Sequence, residues 1–154
     1  MQASSKGECR IERIGLLAIA HGSSSREHVQ TIQQLVRGLL NRLSQFNAVA
    51  AYEIAYMGSR KGLRGISEAL RELSTKCEKI VVLPVFLTPG KHVTSDVPRE
   101  IGISNCKSTS KYEIEIDGRH ITLVYANPIG FDERIVDVLY ERFKEAYSSF
   151  KGKS

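Results

Sequence analysis

Of the 4 histidines in the 154-residue chain, two stand where a side chain can do chemistry. His21 lies in Ala20-His21-Gly22-Ser23, directly after the apolar run Ile14 to Ala20. His92 lies in Pro89-Gly90-Lys91-His92-Val93-Thr94-Ser95-Asp96-Val97-Pro98, shortly after the apolar run Lys79 to Leu87. Two neutral imidazoles suit a borderline divalent ion such as cobalt, nickel, iron or zinc. Two protein ligands also leave coordination positions open, which fits a metal in transit better than a structural ion. Asp96, one helical turn beyond His92, is placed to orient that imidazole from behind. The competing reading makes His21 a helix cap and His92 a turn residue, and it weakens if the two meet in space. His28, one turn into a helix, is expected to face solvent, close enough to serve as a reserve ligand; His120 opens a strand and reads as structural.

The elements that must position the pair follow from hydrophobic periodicity. Ile14 to Ala20 is a continuous apolar run, as in a strand buried on both faces of a parallel sheet. Val29, Ile32, Leu35, Val36, Leu39, Leu40 and Leu43 then recur at helical spacing between Arg26 and Gln45, after serines suited to the N-cap. A strand is expected over Ala48 to Met57, a helix over Leu63 to Lys76, and a third strand over Lys79 to Leu87. Pro84 inside that strand requires a bulge or a position where no N–H is needed. Thr94 or Ser95 is expected to cap a short helix reaching Ile101, with Pro98 in its first turn. Asp117-Gly118 marks a hairpin between Tyr112–Ile116 and the last core strand, Arg119–Ala126. Phe131 to Phe150 is expected as a helix with Ile135, Val138, Leu139, Phe143 and Tyr147 facing inward.

This alternation predicts an α/β fold, a flavodoxin-like three-layer sandwich. Its sheet would have four parallel strands in the order 2-1-3-4, with a small hairpin arm. Ligands of such sheets bind beyond the carboxyl ends of the strands where the order reverses, between the first and third strands. His21 and His92 both belong there.

Composition bounds the partners. With 42% apolar and 25% charged residues, the chain reads as one domain over residues 14–150 after a flexible lead-in over 1–13. No apolar run approaches the ~18 residues of a membrane span, and the N-terminus lacks the apolar core of a signal peptide, so a cytoplasmic protein is expected. The net charge of +5 favours an anionic partner. Nucleic-acid binders carry a basic stripe interleaved with aromatics, whereas the local basic run here is Arg60-Lys61-Gly62-Leu63-Arg64; a polyanionic small molecule is the better fit. Cys9, Cys77 and Cys106 are isolated, which argues against disulfides and a zinc knuckle. Phosphohistidine-type phosphatases carry an arginine before His-Gly, where this chain has Ala20. No Gly-x-x-x-x-Gly-Lys-Ser loop calls for ATP, and Ser23-Ser24-Ser25 is a poor FMN loop.

Three motifs in order give the chain a family likeness: the strand into His21-Gly22-Ser23, then Pro84-Val85-Phe86-Leu87 leading to Gly90-x-His92-x-x-x-Asp96-x-Pro98, then Pro128-Ile129-Gly130-x-Asp132. Over about Ile14 to Tyr147 it resembles the class II tetrapyrrole chelatases, in particular the short archaeal CbiX-type sirohydrochlorin cobaltochelatases. The resemblance implies a chelatase-type fold and a homodimer whose facing crevices hold the macrocycle. It implies metal binding by His21 and His92, and ATP-independent insertion of cobalt, nickel or ferrous iron into sirohydrochlorin. The alternative within the same crevice is a non-catalytic carrier of metal or tetrapyrrole. Many members carry an acidic, proline-bearing segment after the second strand, where this chain has Met57-Gly58-Ser59-Arg60-Lys61-Gly62. Arg60, Lys61 and Arg64 suit the carboxylates of sirohydrochlorin. Ser23, Gly90, Val93 and Thr94, beside the histidines, complete the substrate-binding candidates.

Overall fold

A computed structural model of the chain describes residues 13–58 and 61–151; Arg60 and Cys9 lie outside them. The elements run β1 (Ile14–His21), α1 (Arg26–Leu43), β2 (Val49–Met57), α2 (Ile66–Ser74), β3 (Lys79–Pro84), α3 (Val97–Glu100), β4 (Lys111–Ile116), β5 (Arg119–Tyr125) and α4 (Glu133–Ser148). The sheet order is β2-β1-β3-β5-β4, parallel except for the antiparallel β4–β5 pair. The expected arm is thus part of the sheet. Asp117 and Gly118 both take positive φ, the mirror-image turn whose twist matches flanking strands, so β4 folds back as a fifth, edge strand.

Alternation along the strands sorts the core into two faces. Leu17, Ile19, Ile80, Val82, Ile121 and Leu123 point to one face, where Ile66, Ala69, Leu70 and Leu73 of α2 and Val97 of α3 cover them. Each such fully buried aliphatic side chain contributes about 1.5–3 kcal/mol of transfer free energy. On the other face Ala20 and Tyr56 meet Ile32 of α1. Ser25 caps α1 by accepting from the His28 N–H, and Glu27 sits in the first turn, where the helix dipole favours an acid.

β3 ends at Pro84, short of Leu87. The Val85 N–H donates to the Ile19 carbonyl on the β1 side, so the Pro84 nitrogen faces β5, where the ladder has already ended after Val82. No N–H is needed there. α2 is shorter than expected at both ends.

Two expectations require correction. The helix before Pro98 is not capped by Thr94 or Ser95, because the chain is already helical from His92: a π-turn over His92–Asp96 runs straight into α3. The N–H groups of Val93 and Thr94, and the Thr94 hydroxyl, all donate to the Gly90 carbonyl, which moves the start toward the Pro-Gly turn. The second concerns α4. Its amphipathic pattern is present, but no residue of the helix is buried, and Val138, Leu139, Phe143 and Tyr147 are 49–65% exposed. Periodicity finds an apolar stripe without saying what it packs on. No helix among the described residues is long and apolar enough to cross a membrane.

Candidate metal centre

β1 and β3 lie side by side, and both histidines emerge at their carboxyl ends. His21 is the last residue of β1, and His92 is the first residue of the π-turn. The centres of their imidazole rings are 5.3 Å apart, with the planes at 87°. A metal about 2.1 Å from one nitrogen of each ring, at a tetrahedral angle, places ring centres at nearly this separation. Among the described residues no group of three or more His, Cys, Asp or Glu side chains is arranged to hold a metal. The two imidazoles thus face one another without a third such side chain grouped with them among the described residues.

Each ring is held from behind. The rings of His21 and the buried Phe86 meet nearly perpendicular, their centres 4.5 Å apart. The Nε2 of His28 lies 2.9 Å from the His21 carbonyl oxygen, so that this imidazole, expected as a reserve ligand, donates to the backbone. The Nδ1 of His92 lies 2.8 Å from an Asp96 carboxylate oxygen, and Arg99 holds the other oxygen at 3.1 Å. A carboxylate accepts from Nδ1–H, which leaves Nε2 of a neutral His92 with its lone pair free for a metal. Below the turn, the buried Tyr125 hydroxyl donates to the Val93 carbonyl at 2.8 Å, tying the His92 segment to the end of β5. No local motif signals this tie, which joins residues far apart in the chain. Gly22 is required by close approach: a Cβ there would lie 2.5 Å from the Met57 carbonyl oxygen, which the Gly22 N–H contacts at 3.0 Å.

Although the residue is exposed, partial desolvation of its ring and then the neighbouring imidazoles of His92 and His28 lower the pKa of His21 below its ordinary value near 6.5. His21 is consequently neutral, and able to bind a metal, at neutral pH. In the pH window between the unfolded and folded values, the unfolded chain binds more protons at this position than the folded one. The stability contribution of His21 is complete above about pH 6.5 and falls as pH drops through the lower folded-state value. His21→Asn is expected to flatten the fall in melting temperature below pH 6.5; an unchanged slope in thermal melts from pH 5 to 7 contradicts this. A second expectation concerns Asp96. Asp96→Ala removes the acceptor that fixes the His92 tautomer and should weaken cobalt binding roughly 10- to 100-fold, measured by calorimetry, with the fold retained.

The substrate-binding candidates divide. Ser23 and Lys61 line one cavity of about 840 Å³ with Ser24, Ser25, Arg26 and Gln30, over the start of α1, and neither His21 nor His92 is among its lining residues. Thr94 and Gly90 are exposed next to His92. Val93 does not join them through its side chain, which is 3% exposed and packed in the core, because the π-turn points it inward. Arg64 is engaged by the chain's own acids, with Glu53 at 2.7 Å and Glu68 at 3.7 Å, so a ligand carboxylate must compete for it. His120 pairs with Glu113 at 2.9 Å at the amino end of β5, opposite the site. Cys77 and Cys106 are free thiols whose pKa values burial raises, away from both histidines.

Comparison with known proteins gives a consistent picture. The family model described as CbiX matches residues 15–146. The sirohydrochlorin cobaltochelatase of Methanosarcina barkeri is 33% identical over 138 residues, covering 88% of this chain and 98% of that protein. The sirohydrochlorin cobaltochelatase of Saccharolobus islandicus is 34% identical over 136 residues, covering 88% and 97%. In fold, the chain is similar to the sirohydrochlorin chelatase SirB from Bacillus subtilis subspecies spizizenii, solved in complex with cobalt, with a TM-score of 0.59 at 21% identity. That likeness covers 86% of this chain and 50% of SirB, so the chain spans half the length of that protein.

Proposed function

Because the chain belongs to the CbiX family, we propose that it is a sirohydrochlorin cobaltochelatase, inserting cobalt into sirohydrochlorin without ATP as a cytoplasmic homodimer in cobalamin synthesis. The observation that carries this reading is the pair of imidazoles, 5.3 Å apart at the switch point of the sheet, with no third protein ligand among the described residues.

The chemistry follows from what such a pair can hold and release. Cobalt(II) binds His21 and His92 with its remaining positions on water. Sirohydrochlorin docks by its carboxylates, with Lys61, Arg26 and the serine hydroxyls of the adjacent cavity as its partners, joined by Arg60, which precedes Lys61 in the sequence. Pyrrole nitrogens replace water and then imidazole on the metal. Two pyrrole protons leave as the dication enters, so charge balances without a nucleotide. A released imidazole, with an unperturbed pKa of about 6.5, is a competent acceptor for a proton near neutrality.

Purified protein with excess sirohydrochlorin and cobalt(II) tests the reading. Catalytic conversion of the absorbance spectrum over many equivalents supports an enzyme, and a single stoichiometric change supports a carrier instead. Running nickel(II) and ferrous iron in parallel identifies the metal, since imidazole pairs discriminate weakly among late first-row ions. Cobalt is expected to be inserted fastest; faster nickel or iron insertion reassigns the metal and leaves the chelatase reading intact.

A further inference from the structure

In the turn that carries His92, two carbonyls compete for one N–H. The Val97 N–H donates to the His92 carbonyl, five residues back, which is the π register. In an α-helix the same N–H would go to the Val93 carbonyl, four residues back. The donor that could serve Val93 in the π register belongs to position 98, and Pro98 has no N–H. Neither position therefore offers the Val93 carbonyl a backbone donor, in a segment where the Val93 and Pro98 side chains are buried. A buried carbonyl without a donor is destabilising, so a turn of this kind left to itself would slip into the α register and give the Val97 N–H to Val93.

The missing donor comes from β5. The Tyr125 hydroxyl donates to the Val93 carbonyl at 2.8 Å, and the tyrosine is only 2% exposed. Burial pushes its pKa above the ordinary value near 10, so the hydroxyl keeps the proton it donates. Tyr125 is itself fixed. Its carbonyl accepts from the Thr109 N–H at 2.8 Å, and the following N–H, of Ala126, donates to the Val82 carbonyl of β3 at 2.8 Å. On the other side of the turn, Val97 and Ile101 pack in the core, and the Ile103 N–H donates to the Pro98 carbonyl at 2.8 Å. With both sides held, the register of the turn decides where His92 stands.

We propose that Tyr125 is a positioning residue for the metal centre: by satisfying the Val93 carbonyl, its hydroxyl leaves the Val97 N–H to the His92 carbonyl and so selects the π register. Tyr125 acts only through His92, and this role rests on the reading of His92 as a cobalt ligand. In the α register one residue fewer fills the turn, so the chain before Val93 rotates about the helix axis while α3 stays in place. His92 then leaves the position in which its ring centre lies 5.3 Å from that of His21. The Asp96 carboxylate, 2.8 Å from His92, cannot hold the register, because it belongs to the same turn. Tyr125 reaches the turn from a separate strand. Pro98 and Tyr125 therefore work as a pair, in which the proline removes a donor and the tyrosine replaces it.

Calorimetry with cobalt(II) alone, on the full-length chain, tests this. Tyr125→Phe keeps the ring and removes the donor, and it should raise the cobalt dissociation constant roughly 10-fold, as loss of an outer partner does. The KM for cobalt should rise with it, while the KM for sirohydrochlorin stays unchanged. Tyr56→Phe is the matched control, a buried tyrosine whose hydroxyl has no partner among the described residues, and it should leave cobalt binding unchanged. Pro98→Ala in the Tyr125→Phe background returns an N–H to position 98 and should recover most of the lost affinity. A lower melting temperature with unchanged cobalt affinity in Tyr125→Phe makes the hydroxyl merely structural and overturns the positioning role. So does an equal loss of affinity in Tyr56→Phe, or a double variant that binds cobalt no better than Tyr125→Phe. Cobalt binding that His92→Ala leaves unchanged overturns the reading of the metal centre itself, whereas binding that needs His92 and is indifferent to Tyr125→Phe overturns the role of Tyr125 alone.

Discussion

Replacing His21 or His92 by alanine is expected to lower cobalt insertion by more than about 100-fold, a larger loss than removal of an outer partner costs. One imidazole holds a late first-row ion far less tightly than two, and no third protein ligand among the described residues stands ready to substitute. The effect should fall on metal binding and insertion rather than on folding. His21 is exposed at the end of β1, and the His92 side chain is 56% exposed. The two variants should behave alike, because either loss leaves a single ligand, and the double variant should be little worse than either single one. Steady-state insertion assays at several cobalt concentrations check this. If both variants retain the wild-type rate, the metal is not bound where the rings converge.

The second large effect is expected at Gly22. A methyl group there meets the Met57 carbonyl oxygen at 2.5 Å and the Gly58 carbonyl oxygen at 3.3 Å. Both are backbone atoms, so no side chain can swing aside. The ends of β1 and β2 must separate, and the hydrogen bond from the Gly22 N–H to Met57 is strained or lost. Because His21 precedes Gly22, the separation moves the imidazole itself. Gly22→Ala should destabilise the fold by about 2–3 kcal/mol and lower insertion by about 100-fold or more, while Ser23→Ala, at the next position, should leave stability within about 1 kcal/mol of wild type. Urea unfolding and insertion assays on the two variants check this. A Gly22→Ala protein with wild-type stability and rate would mean that the close approach is not obligatory.

The part of the site that rests on strand order was legible in the sequence. Continuous apolar runs identify β1 and β3 as central parallel strands, and such strands deliver His21 and His92 to one crevice. The Asp96 contact to His92 was legible too, because helical spacing alone brings residues four apart together. What escaped depends on contacts between distant residues. Tyr125 reads as an ordinary strand aromatic until its hydroxyl is seen on the Val93 carbonyl. That tie and the Gly90 carbonyl draw the helix start back to His92, against the capping signal of Thr94 and Ser95, and turn Val93 into the core. Arg64 looks like a free cation until Glu53, on the neighbouring strand, claims it. α4 is the plainest case. Its stripe of Leu139, Phe143 and Tyr147 has the spacing of a buried helix, and only the folded chain shows that no residue of the helix is buried.

In the function proposed above, cobalt passes through a two-imidazole site made by His21 and His92. X-ray absorption at the cobalt edge, on protein loaded with one equivalent of cobalt(II) per chain before sirohydrochlorin is added, tests it most directly. Scattering from two imidazoles, with oxygen in the remaining positions, falling to one imidazole in His92→Ala and in His21→Ala, is the predicted result. A cobalt shell of oxygen alone, or one that neither substitution changes, would contradict it.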